Sequence, residues 1–169
     1  GHTRWSTHGP PTDENAHPHT DCTGSVAVVH NGIIDNYDEL RAELRADGHV
    51  FTSDTDTEVV PHLVEKFLSR GADPETAFRE TVCVLSGSFA LAMLVRGTDT
   101  VYATRQDSPL VLGIDTEAPR ASDSRAAEPR DKTYYLASDV PGFLDYTDRV
   151  VYLEDGDVIA VTPSGYEIT

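Results

Sequence analysis

An arginine, a tryptophan, a threonine and a histidine fall within five positions near the start of this 169-residue chain, as Arg4, Trp5, Thr7 and His8 of GHTRWSTHG. Further on, VVHNGII places Asn31 and Gly32 directly after a β-branched run, and SDTDTE occupies 53–58. These residue types suit a pocket for a small amino acid. A guanidinium pairs bidentately with a carboxylate, and a side-chain amide beside a backbone N–H stabilises an oxyanion. Each also has a plainer reading. Arg4 could pair with a surface acid, Trp5 could anchor a core, and Asn31-Gly32 could make a type I′ hairpin turn. Against the hairpin, a helix signal follows Asn31-Gly32 where a returning strand would be needed.

The elements that must hold these residues are legible in the pattern. Residues 24–34 read as a buried strand running into a functional turn. Asn36 with Glu39 makes a capping-box pattern, and Tyr37, Leu40 and Leu44 form a helical stripe closed by Gly48. Val59, Val60, Leu63, Val64, Phe67 and Leu68 signal a second helix ending at Gly71, with Pro61 near its start. Asp73 as N-cap with Pro74 at the first helical position opens a third, running through Val82 and Leu85 with Cys83 among core-like neighbours. From Gly87 the period changes to strands at 88–95, 100–104, 110–113, 133–137, 149–153 and 157–162. Asp155-Gly156 reads as a two-residue hairpin between the last two. Residues 115–132 read as an exposed loop within a single domain spanning 1–169. The order predicts α+β with antiparallel pairing.

Composition narrows the function classes. A net charge of -16, with lysine only at Lys66 and Lys132, leaves no basic patch to neutralise phosphates. Nucleic-acid and membrane partners are therefore not expected. A dispersed acidic surface repels itself until salt screens it, which we read as adaptation to a salty cytoplasm. Two cysteines, Cys22 and Cys83, make no disulfide framework and fit a cytoplasmic, reducing setting.

The segments GHTRWSTHG, NAHPH, VVHNGII and SDTDTE, in this order, with the closing LASDVPGFLDYTDRVVYLEDGD, resemble the glutaminase domain of the isomerising glutamine–fructose-6-phosphate aminotransferases. These are class II glutamine amidotransferases with the N-terminal-nucleophile hydrolase fold. The resemblance implies a four-layer αββα sandwich with antiparallel sheets, incomplete here at its N-terminus. It implies that Arg4 binds the α-carboxylate of glutamine and Asp56 its ammonium, although Asp56 alone also reads as a helix N-cap. Asn31 and Gly32 would form the oxyanion hole. Trp5, Thr7 and His8 would belong to a loop closing over glutamine, with the Trp helping to gate ammonia. The partners implied are glutamine and a sugar-phosphate isomerase domain of the same enzyme, in a homodimer, with no cofactor. A glutaminase domain serving phosphoribosylamine synthesis is the enzymatic alternative, which the Trp-Ser-Thr-His run argues against. A glutamine-binding module without turnover is the other.

Five of seven histidines fall in the first thirty residues: His2, His8, His17, His19 and His30. His17-Pro18-His19 lacks the helical i, i+4 spacing of a zinc motif, so no metal is expected. The family's nucleophile is a Cys at the mature N-terminus whose α-amino group acts as base. The chain opens at Gly1, and neither Cys22 nor Cys83 is expected to have a paired base. The sequence therefore reads as the C-terminal two-thirds of a glutaminase domain, inactive alone.

Overall fold

The computed structural model describes residues 9–115 and 132–169. The chain runs β1 (His19–Thr20), β2 (Val26–Ile34), α1 (Tyr37–Ala46), α2 (Val59–Ser69) and α3 (Pro74–Val84). It continues through β3 (Gly87–Val95), β4 (Val101–Gln106), β5 (Val111–Asp115), β6 (Thr133–Ala137), β7 (Val150–Tyr152), β8 (Val158–Thr162) and β9 (Gly165–Ile168). Six strands form one sheet in the order β1-β2-β3-β4-β8-β9, and three form a second in the order β6-β5-β7. Every named pairing is antiparallel, as the strand-after-helix order predicts. The described residues build one helical layer and two sheet layers.

Strand β3 explains the layering. Successive side chains on a strand face opposite ways, and here the large ones other than Leu94 go to one face. Phe89, Leu91, Met93 and Val95 join Val26, Val28, Ile34, Leu44, Val64 and Phe78 in the core under the helices. Ala90, with Ala92 and Ala103, faces the second sheet, where Leu110, Leu112, Ile159 and Val161 fill the space between sheets. A strand buried on both faces reads as the near-continuous apolar run SFALAMLV. Burying each large aliphatic or aromatic side chain contributes about 1.5–3 kcal/mol relative to exposing it.

Three local expectations meet a different outcome. Asn36 stands at the N-cap position of α1 but makes no side-chain cap. Its amide donates to Val84 O at 2.8 Å, and its oxygen accepts from Ser86 N at 3.0 Å. That ties the start of α1 to the end of α3, so a tertiary contact displaces the capping box. Asp155-Gly156 is a turn but not a hairpin, because β7 belongs to the small sheet and β8 to the large one. Leu153 is buried between the sheets, and Asp155 accepts from Asp107 N at 2.8 Å and lies 2.7 Å from an Arg105 nitrogen. The turn therefore carries the chain across layers. Cys83 is exposed on α3, not packed in the core. Asp73, by contrast, caps α3 as expected, accepting from Glu75 N and Thr76 N, each at 3.1 Å. The expected loop at 115–132 falls almost wholly outside the described residues.

The charge pattern carries a prediction. Lys66 spends its ammonium on two acids at once, Glu43 and Asp47, each at 2.6 Å, while the net charge of the chain is -16. Raising KCl from dilute to molar should raise the melting temperature, since screening relieves the unpaired acids more than it weakens one bridged lysine. Each kcal/mol of relieved repulsion adds about 2–4 °C for a chain of this size. A melting temperature that is flat or falls with salt removes the reading of salt adaptation.

Candidate functional site

Strand β2 organises the site. His30 and Asn31 point to opposite faces, and their burial follows: His30 is buried and Asn31 exposed. Asn31 opens into a cleft of about 250 Å³ between the sheets, lined also by Val29, Ala92, Leu110, Leu136 and Ser138. Gly32 follows with φ of +128°. A Cβ there would overlap the carbonyl oxygen of Ser88 and stand 2.9 Å from both Phe89 Cα and Ser108 Oγ. The strand continues through Ile34 in register with β3, so the expected functional turn is a strained stretch of strand.

Asp56 reaches the same strand from the helical side. It is the first residue of a short 3-10 turn, Asp56–Glu58, and is 3 % exposed. The N-cap position belongs to Thr55; Asp56 Oδ2 instead accepts from Ile34 N at 2.9 Å, two residues past Gly32. His30 Nδ1 lies 2.9 Å from Thr57 Oγ1 and 4.0 Å from Asp56 Oδ2. The oxyanion candidates and the ammonium candidate are thus fastened to one end of one strand.

The segment holding Asp56 is built from polar contacts that the sequence alone did not disclose. Glu58 is buried and accepts from Thr52 N (2.7 Å), Thr52 Oγ1 (3.0 Å), Ser53 N (2.7 Å) and Ser53 Oγ (2.6 Å). Burial alone would raise its carboxyl. The neighbouring His62, the Ser53 hydroxyl and the two backbone N–H groups outweigh that and bring it down to about 2. Asn15 Oδ1 accepts from Asp54 N, and its Nδ2 donates to Pro10 O, both at 2.9 Å. A Cβ on Gly9 would stand 3.0 Å from Asp54 Cβ. The end of the first motif therefore packs against the residue two before Asp56. Arg4, Trp5, Thr7 and His8 lie outside the described residues.

Neither cysteine lines the cleft. Cys22, however, has imidazole neighbours, contrary to expectation: its Sγ is 3.6 Å from His62 Nδ1 and 3.8 Å from His49 Nδ1. Burial pushes the Cys22 thiol up, and the Glu65 carboxylate beside it adds to that. A thiol outside the cleft does not serve as the nucleophile there. The residues missed by pattern reading are His30, Asn15 and Glu58. All three lie inside the segments that carry the resemblance, VVHNGII, NAHPH and SDTDTE, and His30 is also a polar residue at an inward period-two position of an apolar strand.

The chain is similar to proteins of known name and structure. A protein of Halobacterium salinarum, named glutamine–fructose-6-phosphate aminotransferase (isomerizing), is 52% identical over 168 residues, 99% of this chain and 25% of its own length. The protein of the same name from Sulfolobus acidocaldarius is 48% identical over 164 residues, 97% of this chain and 25% of its own. The chain thus spans about a quarter of the length of these curated relatives. Among solved structures, the glutamine phosphoribosylpyrophosphate amidotransferase of B. subtilis matches with a TM-score of 0.71 at 23% identity, covering 99% of this chain and 33% of that one. A structure described as the allosteric regulatory enzyme of purine biosynthesis matches with a TM-score of 0.75 at 22% identity, covering 99% and 34%. These two establish the fold, that of the N-terminal-nucleophile hydrolases. The family profile of a glutamine amidotransferase domain matches residues 2–126, and the chain belongs to that family.

Proposed function

We propose that this chain is the glutamine-binding and glutamine-hydrolysing part of an enzyme that transfers the amide nitrogen of glutamine to fructose 6-phosphate, giving glucosamine 6-phosphate. The observation that carries this reading is the identity of 48% and 52% to the two aminotransferases across nearly the whole chain. The two solved structures named above share the fold at only 22–23% identity, so the phosphoribosylamine alternative has less behind it.

In this reading Arg4 holds the α-carboxylate through two parallel N–H···O bonds, and Asp56 takes the ammonium. The packing of Gly9 against Asp54 supports their convergence, because it brings the last residue of the first motif beside the segment that carries Asp56. The side-chain amide of Asn31 and the N–H of Gly32 then flank the carbonyl oxygen of the substrate amide. When a thiolate adds to that carbon, the oxygen becomes negative and both donors strengthen their hold on it. Collapse of the adduct expels ammonia and leaves a thioester, which water cleaves to glutamate. The attacking thiol is neither Cys22 nor Cys83; the resemblance assigns it to a Cys at the mature N-terminus. Trp5, Thr7 and His8 close over the bound glutamine.

The chemistry asks for no cofactor. Its partners are glutamine and a sugar-phosphate isomerase domain of the same enzyme, working as a cytoplasmic homodimer. No helix among the described residues is long and apolar enough to cross a membrane. The test is whether nitrogen from the glutamine amide reaches the sugar in the enzyme containing this chain. Release of ammonia without aminosugar formation would point to another amidotransferase, and glutamine binding without ammonia release to a sensor.

A further inference from the structure

On the helical side of the large sheet, away from the cleft, four side chains from three separate segments converge. Cys22 comes from the turn between β1 and β2, His49 from the turn that ends α1, and His62 and Glu65 from one face of α2. Their donor atoms all lie within 4.8 Å of one another. Cys22 Sγ is 3.6 Å from His62 Nδ1 and 3.8 Å from His49 Nδ1. Glu65 Oε2 lies 2.8 Å from His49 Nδ1 and 3.3 Å from His62 Nδ1. We propose that Cys22, His49, His62 and Glu65 bind a zinc ion that fastens the β1–β2 turn and the end of α1 to α2.

The spacing fits the ion. With zinc–nitrogen and zinc–oxygen lengths of about 2.0–2.2 Å and zinc–sulfur of about 2.3 Å, the edges of the ligand tetrahedron come to about 3.3–3.6 Å. The four separations above bracket that range. Both histidines present the same ring nitrogen to one point. A thiolate, two imidazoles and one carboxylate suit a borderline-soft cation and not magnesium or calcium, which take oxygen ligands. Four protein ligands fill a tetrahedron, so the ion is structural and has no open position for substrate.

Two further features support the site. His62 is buried, and its Nε2 has no hydrogen-bond partner among the described residues, yet it lies 3.8 Å from Glu58 Oε1. With Nδ1 on a metal, Nε2 carries the proton and faces a carboxylate, the arrangement that orients metal-bound imidazoles. His49 is likewise fixed by its backbone. Gly48, at φ of +97°, ends α1, and His49 N donates to Leu44 O at 3.0 Å while Gly48 N donates to Arg45 O at 3.1 Å. This is a helix-ending motif that only a residue tolerant of left-handed backbone makes cheaply. Hydrogen bonding alone explains the contacts to Glu65 but leaves two ring nitrogens sharing one thiol. The site was invisible in the sequence because its ligands lie 27, 13 and 3 residues apart and use none of the histidines crowded at the N-terminus.

The experiment is metal analysis of the purified protein after chelator treatment and reloading. One zinc per chain should survive gel filtration. Cobalt(II) in its place should give the intense visible absorption of a tetrahedral site together with a thiolate-to-cobalt charge-transfer band. Cys22→Ser should abolish that band and weaken zinc binding at least about tenfold, and His49→Ala should weaken it similarly. Cys22 is exposed and His49 only partly buried, so both variants should keep the native circular dichroism, while Cys83→Ser should change nothing. Failure of the native protein to retain zinc overturns the proposal. So does retention with an unchanged cobalt spectrum in Cys22→Ser. Neither readout involves glutamine, so the outcome is independent of the reaction proposed above.

Discussion

Replacing Asn31 with Ala should lower the kcat for ammonia release by about 100- to 1,000-fold, a loss of roughly 2.7–4 kcal/mol in the transition state. The side chain is exposed in the cleft and fills no core position, so the melting temperature should stay within about 1 °C of the parent. KM for glutamine should change little, because the ground-state carbonyl gains less from the donor than the oxyanion does. Asp56→Asn should behave oppositely. The amide oxygen can still accept from Ile34 N, which preserves the 2.9 Å bond to β2, but the charge for the substrate ammonium is gone. A charge-assisted hydrogen bond is worth about 1.5–3 kcal/mol, so kcat/KM should fall about 10- to 150-fold, mostly through KM. The split is the diagnostic part, and steady-state kinetics of the two variants measures it. Equal losses in both parameters for both variants would mean that neither residue has the role assigned to it.

Gly32→Ala should be the most damaging single change in the site. The new methyl would run into the carbonyl oxygen of Ser88 and press on Phe89 Cα and Ser108 Oγ, each 2.9 Å away. A φ of +128° adds backbone strain of its own for any residue with a Cβ. The obstruction is mostly backbone of β3 and cannot rotate aside. The choice is to separate β2 from β3 or to twist β2 out of register, and either also moves Asn31 and the Ile34 N–H that holds Asp56. A destabilisation of about 4 kcal/mol or more is expected, at the extreme of single substitutions, with activity lost even where folded protein is recovered. Denaturant unfolding of the variant beside Asn31→Ala separates the two effects. An Ala variant as stable as the parent would show that the strand does not approach β3 so closely.

What the sequence discloses divides along physical lines. Helices α2 and α3 and strand β3 are specified by short-range periodicity, and Asp73-Pro74 works because cap and first turn are neighbours in the chain. Asn36 looked like a cap for the same reason, yet its amide is bonded to Val84 and Ser86, about fifty residues away, and no local pattern encodes that. Asp155-Gly156 supplies a turn but not its destination; the burial of Leu153 and the contacts of Asp155 with Asp107 and Arg105 decide which sheet the chain joins. The site follows the same rule. Asn31, Gly32 and Asp56 were legible as motif positions, whereas the groups that fix Asp56, namely His30, Thr57 and Glu58, act through contacts between strand and turn. Cys22 is expected to lack a paired base because nothing in the sequence signals that His49 and His62 fold against it.

The central claim, that this chain is the glutamine-handling part of an enzyme that moves the amide nitrogen to an aminosugar, is tested most directly by isotope tracing. The enzyme containing this chain is supplied with glutamine labelled with nitrogen-15 at the amide, together with fructose 6-phosphate and unlabelled ammonium in excess. The predicted result is glucosamine 6-phosphate carrying the label, with the label lost in the Asn31→Ala enzyme. Unlabelled product in the parent enzyme, or labelled product undiminished by Asn31→Ala, would contradict the account.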